Sequence, residues 1–172
     1  KGTYVLYHGN LSVVENNQAA LFLVSKIFND LQIKLIIAGS DPSSMLVELV
    51  KKNRNIELRI NPGELEMMRL IRNAHVNLLP TFQNTGTKLK LLNALFNGRF
   101  VLVNSPMVEN TGLGDLCIVR EKSEEMKQAV VELMEQSFEA SDIQKRKVVL
   151  GKSYSNAANA AQLIDILYTV SQ

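Results

Sequence analysis

Short apolar runs alternate with longer amphipathic stretches along most of this chain, and this alternation limits the folds open to it. The apolar runs, rich in β-branched and aromatic residues, are predicted strands over 3–9, 33–40, 55–60, 75–80, 99–105 and 116–120. The amphipathic stretches are predicted helices over 15–31, 42–53, 62–74, 87–98, 121–139 and 154–170. Strands that alternate with helices indicate βαβ units, and strands this apolar are covered on both faces. The sequence therefore predicts the α/β class: a single Rossmann-like doubly wound domain with about six parallel strands and helices on both faces.

The composition is that of a globular protein and argues against several classes. Hydrophobic residues make up 46% of the 172 residues and charged residues 21%, and the net charge of +2 is too small to indicate nucleic-acid binding. Cys117 is the only cysteine, so no internal disulfide can form, which fits a cytoplasmic location. No apolar run approaches the roughly 20 residues of a membrane helix. The chain begins with Lys1 rather than Met, and we expect it to be a piece of a longer protein.

In a doubly wound sheet, ligands bind outside the carboxyl ends of the strands, so the loops that follow the strands are the candidate site. These loops are 9–14, 39–43, 60–63, 80–87 and 104–114. None of them carries a dinucleotide fingerprint or a nucleoside-triphosphate loop, because neither G-x-G-x-x-G nor G-K-S/T occurs in the chain.

Loop 80–87, "PTFQNTGT", precedes a predicted helix and is the most informative of these loops. Gly86 permits close approach of the main chain to a ligand, and the helix start presents free backbone N–H groups. Lys88 and Lys90 place two cations in the first helical turn, where each opposes the helix dipole by about 0.3–1 kcal/mol unless an anion is bound there. The alternative is that Thr85 or Thr87 merely caps the helix and both lysines are solvated.

Two further positions are candidates for ligand contacts, each with a structural alternative. Gly9 and Asn10 directly follow the first strand and could meet a phosphate or a sugar, although a chain reversal also needs glycine. Asn93 lies inside the helix over 87–98, where asparagine is unfavourable, and its side chain would lean back toward the loop. An exposed surface asparagine is the alternative reading.

The histidines and the cysteine do not form a recognisable catalytic or metal-binding pattern. His8 ends the first strand and His75 begins the fourth, and neither has a nucleophile or an acid at a suggestive spacing. Both are interpreted as structural, and Cys117 as a buried small residue. No metal site is predicted from these widely separated residues.

Several stretches, taken together and in order, resemble the C-terminal domain of GT-B retaining glycosyltransferases of the glycogen-synthase-like, group 1 kind. The stretches are "YVLYHGNLSVVENNQAALFLV", "LIIAGSDPS", "NIELRINPGELEMMRLIRNAHVNLLPTFQNTGTKLKLLNALFNGRFVLVNSPMVENTGL" and "YSNAANAAQLIDIL". The resemblance covers nearly all of residues 1–172. It implies a C-terminal nucleotide-sugar-binding domain, whose N-terminal partner domain would hold the acceptor and close the cleft.

Carried over position by position, the resemblance implies a donor site with no cofactor and no metal, in which a nucleotide-diphosphate sugar is the substrate. Gly9 and Asn10 match the glycine loop near the diphosphate, and residues 85–89 match the stretch whose backbone and basic residue meet phosphate. Asn93 matches the position that bonds the ribose, and Asn61 lies where the base packs. The implied binding residues are thus Gly9, Asn10, Asn61, Thr85, Gly86, Thr87, Lys88, Leu89 and Asn93, of which Lys88 and Asn93 are the predicted catalytic residues.

The chain departs from the family pattern at three places. Both glutamates of the family's two-glutamate motif are replaced, the first by Thr85 and the second by Asn93. The basic pair of the loop after the first strand is absent, since 10–17 reads "NLSVVENN". These departures favour nucleotide-sugar binding over full catalytic competence. The resemblance implies the donor half of a hexosyl- or mannosyltransferase of polysaccharide biosynthesis, inactive as an isolated fragment and acting on a glycan or lipid-linked acceptor. The alternatives are a non-catalytic, degenerate nucleotide-sugar-binding module of the same fold and an unrelated doubly wound domain.

Overall fold

A computed structural model of the chain describes residues 2–83 and 88–169. Its strands form one sheet in the order β3-β2-β1-β4-β5-β6, and every neighbouring pair is parallel. The strands are β1 (Val5–His8), β2 (Leu35–Gly39), β3 (Ile56–Ile60), β4 (Val76–Leu78), β5 (Phe100–Val103) and β6 (Ile118–Val119). The prediction of six parallel strands in a Rossmann-like α/β fold is confirmed. Each observed strand lies inside its predicted range, and backbone hydrogen bonds continue just beyond some strand ends, as from the His75 N–H to the Tyr4 carbonyl at 2.8 Å.

The helices follow the predicted alternation with three differences. They are α1 (Val14–Phe22), α2 (Ser44–Lys51), α3 (Glu64–Asn73), α4 (Leu89–Asn97), α5 (Ser105–Val108), α6 (Ser123–Glu135), α7 (Ala140–Ser153) and α8 (Asn156–Thr169). The predicted helix over 15–31 is α-helical only to Phe22 and continues as a π-helical turn, Leu23–Ile27. The short helix α5 was not predicted. No helix was predicted over α7 either, because its charged "QKRK" stretch lacks a clear apolar stripe.

Helices cover both faces of the sheet. On one face α3 packs Ile71 and Ala74 against Leu6, Ile36 and Ala38. Side chains alternate between the faces of a strand, and α1, α2 and the π-helical turn lie on the opposite face. There the Tyr7 hydroxyl donates a hydrogen bond to the Asn16 carbonyl of α1 at 2.9 Å. The central strands β1 and β2 are buried along their whole length, which explains their continuous apolar sequence.

The chain divides into two compact units, Lys1–Phe138 and Glu139–Gln172. The first contains the whole sheet with α1 to α6. The second contains α7 and α8, and at the start of α7 the Asp142 carboxylate accepts a hydrogen bond from the Glu139 backbone N–H at 2.9 Å. The assignment of all 172 residues to one nucleotide-sugar-binding domain stays a prediction.

His75 joins three segments of the first unit. Its Nδ1 accepts a hydrogen bond from the Gly2 backbone N–H at 3.1 Å, and its Nε2 lies 2.9 Å from the Leu133 carbonyl and 3.0 Å from that of Gln136. The imidazole is fully buried and stacks edge-on against Phe100. These contacts give His75 a structural role at the amino end of β4, away from the predicted ligand loops.

The described ranges contain neither a membrane-spanning helix nor a cluster of metal ligands. No helix within residues 2–83 and 88–169 is both long and apolar enough to cross a bilayer. Within the same ranges, no three His, Cys, Asp or Glu side chains are grouped closely enough to hold a metal ion.

Candidate functional site

The strand order reverses between β1 and β4, which are neighbours in the sheet although 70 residues of sequence separate their starts. From β1 the chain winds outward through β2 and β3, and from β4 it winds the other way through β5 and β6. At such a switch point the two loops that leave the carboxyl ends diverge and open a crevice. Here the loops lead into α1 and α4, whose amino-terminal turns therefore flank the crevice.

An open cleft of about 310 Å³ lies at the carboxyl end of β1, β2 and β3. It is lined by Gly9, Asn10, Gly39, Ser40, Asn61, Pro62 and Met67. Three of the predicted binding residues, Gly9, Asn10 and Asn61, thus meet in one cleft although they belong to two loops far apart in sequence. Ser40 and Met67, which the resemblance did not indicate, complete the lining.

The Asn10 side chain is fixed by three hydrogen bonds on one oxygen. Its Oδ1 accepts from the Ser12 backbone N–H at 3.0 Å, from Ser12 Oγ at 2.7 Å and from Ser40 Oγ at 2.9 Å. The two N–H donors of the same amide contact no acceptor among the described residues. An oriented amide with free donors suits the oxygens of a phosphate or a sugar.

The loops after β1 and β2 approach each other so closely that one of them requires glycine. A Cβ atom added at Gly39 would lie 1.9 Å from the Gly9 carbonyl oxygen and 2.9 Å from Leu11 Cγ. Backbone hydrogen bonds hold the same contact: Gly9 N–H to the Ala38 carbonyl at 3.1 Å, and Leu11 N–H to the Ser40 carbonyl at 2.9 Å. The cleft floor is therefore main chain, which lets a ligand come close to the backbone.

Asn61 enters the cleft in the left-handed backbone region, with φ of 52°. Asparagine tolerates this conformation better than most residues. Its backbone N–H donates to the Gly39 carbonyl at 2.9 Å, which ties the end of β3 to the end of β2. Asn61, which was predicted to lie where the base packs, is thus fixed through its backbone and lines the cleft.

Lys90 reaches over the carboxyl edge of the sheet from α4 to α1. Its Nζ donates to Asn16 Oδ1 at 2.8 Å and lies 5.4 Å from the centroid of the Tyr7 ring. The side chain is half-buried, and this burial, followed by the charge of Lys88, lowers the pKa of the Lys90 ammonium to about 8. The sequence marked Lys90 only as a first-turn cation. Its position beside Leu91, on the flank of the buried stripe of α4, was the signal that it is not an ordinary surface lysine.

We expect Lys90→Met to raise the free energy of unfolding by about 1–2 kcal/mol at pH 7, because removal of a half-buried charge outweighs loss of the hydrogen bond to Asn16 and of the charge over the Tyr7 ring. When the pKa of a lysine is lower in the folded chain than in the unfolded chain, the free energy of unfolding increases as the pH rises from the folded to the unfolded pKa value. Urea unfolding should therefore show a stability increase above pH 8 in the wild type. A parallel pH profile in Lys90→Met would contradict this account.

His8 lies directly before Gly9 with only 5% of its surface exposed. Its Nε2 is buried and has no hydrogen-bond partner within residues 2–83 and 88–169. Burial, with the charge of Lys90 as the second cause, lowers the pKa of the imidazole to about 4. The ring is thus neutral at pH 7 and presents an unsatisfied nitrogen at the carboxyl end of β1.

The remaining predicted residues lie at or near the start of α4. Thr85, Gly86 and Thr87 are outside the described residues. Lys88 is the residue before the helix, and its Nζ donates to the Gln83 carbonyl at 3.0 Å.

Leu89 begins α4 with 62% of its surface exposed. Asn93 is exposed one turn further along, where its backbone carbonyl accepts a hydrogen bond from Asn97 Nδ2 at 3.1 Å. Neither of these two residues, nor Lys88, lines the cleft that holds Gly9, Asn10 and Asn61.

Asn104, at the end of β5, anchors the first part of the 80–87 loop. Its Oδ1 accepts from the Thr81 backbone N–H at 2.9 Å, and its Nδ2 donates to the Thr81 carbonyl at 2.6 Å. The Asn104 side-chain amide thus bonds the main chain of Thr81 beyond the ends of β4 and β5, in place of backbone hydrogen bonds between the strands. It was not singled out by the sequence, in which an asparagine after a strand reads as an ordinary turn residue.

No family model matches the chain. A protein of Klebsiella pneumoniae, described as an uncharacterized 44.6 kDa protein in the cps region, is 30% identical over 118 residues. That alignment covers 63% of this chain and 30% of the relative. The chain therefore spans about a third of the length of this relative.

The structural neighbours are GT-B glycosyltransferases. S. aureus TarM, in a complex that includes UDP, matches with a TM-score of 0.69 at 15% identity over 95% of this chain and 35% of its own. A UDP-forming trehalose-phosphate synthase from Burkholderia xenovorans matches with a TM-score of 0.59 at 9% identity, covering 84% and 38% of the two chains. A UDP-glucosyltransferase from Polygonum tinctorium matches with a TM-score of 0.58 at 11% identity, covering 99% and 42%. The chain thus has the fold of part of these enzymes, as the sequence resemblance predicts.

Proposed function

We propose that this chain binds the nucleotide-diphosphate portion of an activated sugar and is the donor half of a retaining glycosyltransferase. The observation that carries the proposal is the cleft at the carboxyl edge of the sheet, which is lined by Gly9 and Gly39 together with Asn10 and Asn61. Such a cleft offers close backbone approach and neutral hydrogen-bond donors, both of which suit a nucleotide. The presence of UDP in the TarM complex, on the same fold, makes UDP the first nucleotide to test.

The chemistry that this site supports is electrostatic stabilisation of a leaving diphosphate. Among the described residues no side chain caps the first turn of α1 or of α4, which leaves the backbone N–H groups there to donate to an anion in this proposal. Helix amides and a cation placed where charge develops stabilise the leaving group without any reorganisation. The proposal requires neither a cofactor nor a metal, since the nucleotide sugar is itself the substrate.

The acceptor side belongs to a second domain in this proposal. The chain spans about a third of its Klebsiella relative, and a glycan or lipid-linked acceptor would bind across the cleft on the N-terminal domain. We further propose a hexosyl- or mannosyltransferase of polysaccharide biosynthesis that acts in the cytoplasm, and the description of that relative as a protein in the cps region supports the polysaccharide part of this proposal.

A non-catalytic, degenerate nucleotide-sugar-binding module is the second candidate. It is favoured by Asn93, a neutral and exposed amide where the resembled family has an acid, and by Thr85 at the other acidic position. Incubation of the full-length protein with UDP-sugars and glycan acceptors separates the two candidates. Sugar transfer would exclude the non-catalytic module, whereas UDP binding without transfer would support it.

We expect this chain to bind UDP, and Lys88→Ala to weaken that binding about tenfold through loss of one charge-assisted contact. Calorimetric titration of both proteins with UDP measures the effect. Lys52→Ala is the matched control, because Lys52 ends α2 at the opposite edge of the sheet and its loss changes the net charge equally. Unchanged affinity in Lys88→Ala would remove Lys88 from the site, and absence of UDP binding by the wild type would refute the proposed function.

A further inference from the structure

Strand β3 forms one edge of the sheet and has a strand on only one side. It is the first in the order β3-β2-β1-β4-β5-β6, and all five of its residues pair with β2. The strand at the other edge, β6, has only two residues. Near the end of β3, Ile60 has 53% of its surface exposed. An edge strand of this length presents a row of backbone groups with which a further strand can pair.

The backbone groups on the outer side of β3 belong to alternate residues. The Asn55 carbonyl accepts a hydrogen bond from the Leu35 N–H at 2.9 Å, and the Asn61 N–H donates to the Gly39 carbonyl at 2.9 Å. Odd-numbered residues of β3 therefore direct both backbone groups toward β2, and even-numbered residues direct theirs away from it. Leu58, at the centre of the strand, makes no backbone hydrogen bond on that outer side among the described residues.

The side chains of β3 are complementary to those of a second copy of the same strand. The strand reads Ile-Glu-Leu-Arg-Ile, so an antiparallel copy centred on Leu58 places Glu57 opposite Arg59 in both directions. Charged residues on an edge strand often prevent pairing, but opposite charges that face each other stabilise it. A shift by two residues would place Glu57 opposite Glu57, or Arg59 opposite Arg59. The charges therefore specify a single register.

The two charged side chains are already ordered at this edge. The Glu57 carboxylate bonds Lys34 Nζ at 2.8 Å and also forms an ion pair with Arg59 of its own strand. The neighbour of Glu57 in β2 is Ile36, which packs against α3, so both charges lie on the α3 side of the sheet. About half of the Arg59 side chain and a third of the Glu57 side chain remain exposed to solvent. Both can thus contact a strand that pairs with β3.

We propose that two copies of this chain pair through β3, antiparallel about Leu58, and so continue the sheet across a two-fold axis. The Leu58 N–H of each copy donates to the Leu58 carbonyl of the other, and the Ile60 N–H donates to the Ile56 carbonyl. The Ile56 N–H already bonds the Asn53 carbonyl at 3.2 Å and takes no part. The pairing uses none of the residues that line the cleft, so it is independent of the proposed function.

The test is sedimentation equilibrium of the wild type, of Glu57→Arg, of Arg59→Glu and of an equal mixture of the two variants. An interface of one strand pair is small, so we expect the wild type to dimerise with a Kd of about 0.1 mM. Each variant alone opposes like charges and should dimerise about tenfold more weakly. In the mixture, one variant presents two bases and the other two acids, so dimers should form again between unlike copies.

Three further variants complete the experiment. Glu132→Arg and Arg120→Glu make the same changes in net charge at exposed positions on α6 and after β6, and should dimerise as the wild type does. Leu58→Pro removes an outward N–H and keeps the bonds to β2, because proline is tolerated on an edge strand where its nitrogen faces solvent. We expect this variant to be folded by circular dichroism and monomeric.

Recovery of dimers on mixing cannot come from a folding defect in either variant, so it would support the proposed register directly. A wild type that stays monomeric at about 1 mM would overturn the inference. Dimerisation of Glu57→Arg or Arg59→Glu as strong as that of the wild type would also overturn it, because the dimer would then use another surface. The same conclusion follows if a folded Leu58→Pro chain dimerises normally, or if the mixture dimerises no better than its components.

Discussion

Gly39→Ala is expected to lower the free energy of unfolding by about 3 kcal/mol or more and to abolish nucleotide binding. The new Cβ would lie 1.9 Å from the Gly9 carbonyl oxygen, which is backbone and cannot rotate away. The ends of β1 and β2 must therefore separate, which breaks the Leu11–Ser40 backbone hydrogen bond and disturbs the cleft floor. Overpacking of a core by one methyl group costs about 1–3 kcal/mol, and a clash with rigid backbone lies at the upper end or beyond. Urea unfolding followed by circular dichroism measures the loss.

Gly63→Ala is the matched control for this prediction. Gly63 lies at the start of α3 with φ of −64°, and nothing lies within 4 Å of an added Cβ. Its effect should stay within about 1 kcal/mol, because alanine adopts this backbone conformation without strain. Equal stability of Gly39→Ala and Gly63→Ala would show that the two loops do not approach each other as described.

The second large effect is an acid-dependent loss of stability that comes from His8. The folded pKa of about 4 lies below the ordinary value of 6.5, so between these values the unfolded chain binds a proton that the folded chain does not. The contribution of the neutral His8 imidazole to the free energy of unfolding is fully present above pH 6.5 and is lost as the pH falls toward 4. Each unit of pKa difference is worth about 1.4 kcal/mol, which gives a loss of about 2–3 kcal/mol between pH 7 and pH 4.5.

Comparison with His8→Leu isolates this contribution. Leucine fills a similar volume in the buried position, has no proton to bind and leaves no polar nitrogen unsatisfied. Urea unfolding at several pH values between 7 and 4.5 should give a shallower decline in His8→Leu than in the wild type. Carboxylates with lowered pKa values, such as Glu57, also lose their contribution to stability as the pH falls. This loss is the same in both proteins and cancels when their free energies of unfolding are subtracted. Parallel declines would show that His8 is accessible to protons in the folded chain.

The helices and strands could be predicted where local patterns carry the information. The predicted strand over 33–40 contains the run "LIIAG", which is apolar and ends in glycine, and the observed strand β2 is Leu35–Gly39. The helix α7 was missed because its apolar residues do not form a regular stripe. The π-helical turn after Phe22 was also missed, because an i→i+5 turn has the same residue preferences as the helix that it continues.

The candidate site could be predicted in part. Gly9, Asn10 and Asn61 follow predicted strands, and parallel strands end at the same edge of a sheet, so their convergence was expected. The role of Lys90 could not be predicted in this way, because its partner Asn16 lies 74 residues away on another helix. Likewise, the anchoring of Thr81 by Asn104 depends on how far β4 and β5 extend.

The sequence by itself determined the class of fold and the edge of the sheet at which the candidate ligand loops lie. Apolar periodicity and glycine positions are local properties, and strand direction then places the loops. Only the tertiary structure decided that Lys90 contacts Asn16 of α1 and that His8 Nε2 is buried with no hydrogen-bond partner among the described residues. Charge placement depends on the distance between α1 and α4 across the switch point, and burial depends on every element that packs around a residue, so neither can be read from a stretch of neighbouring residues.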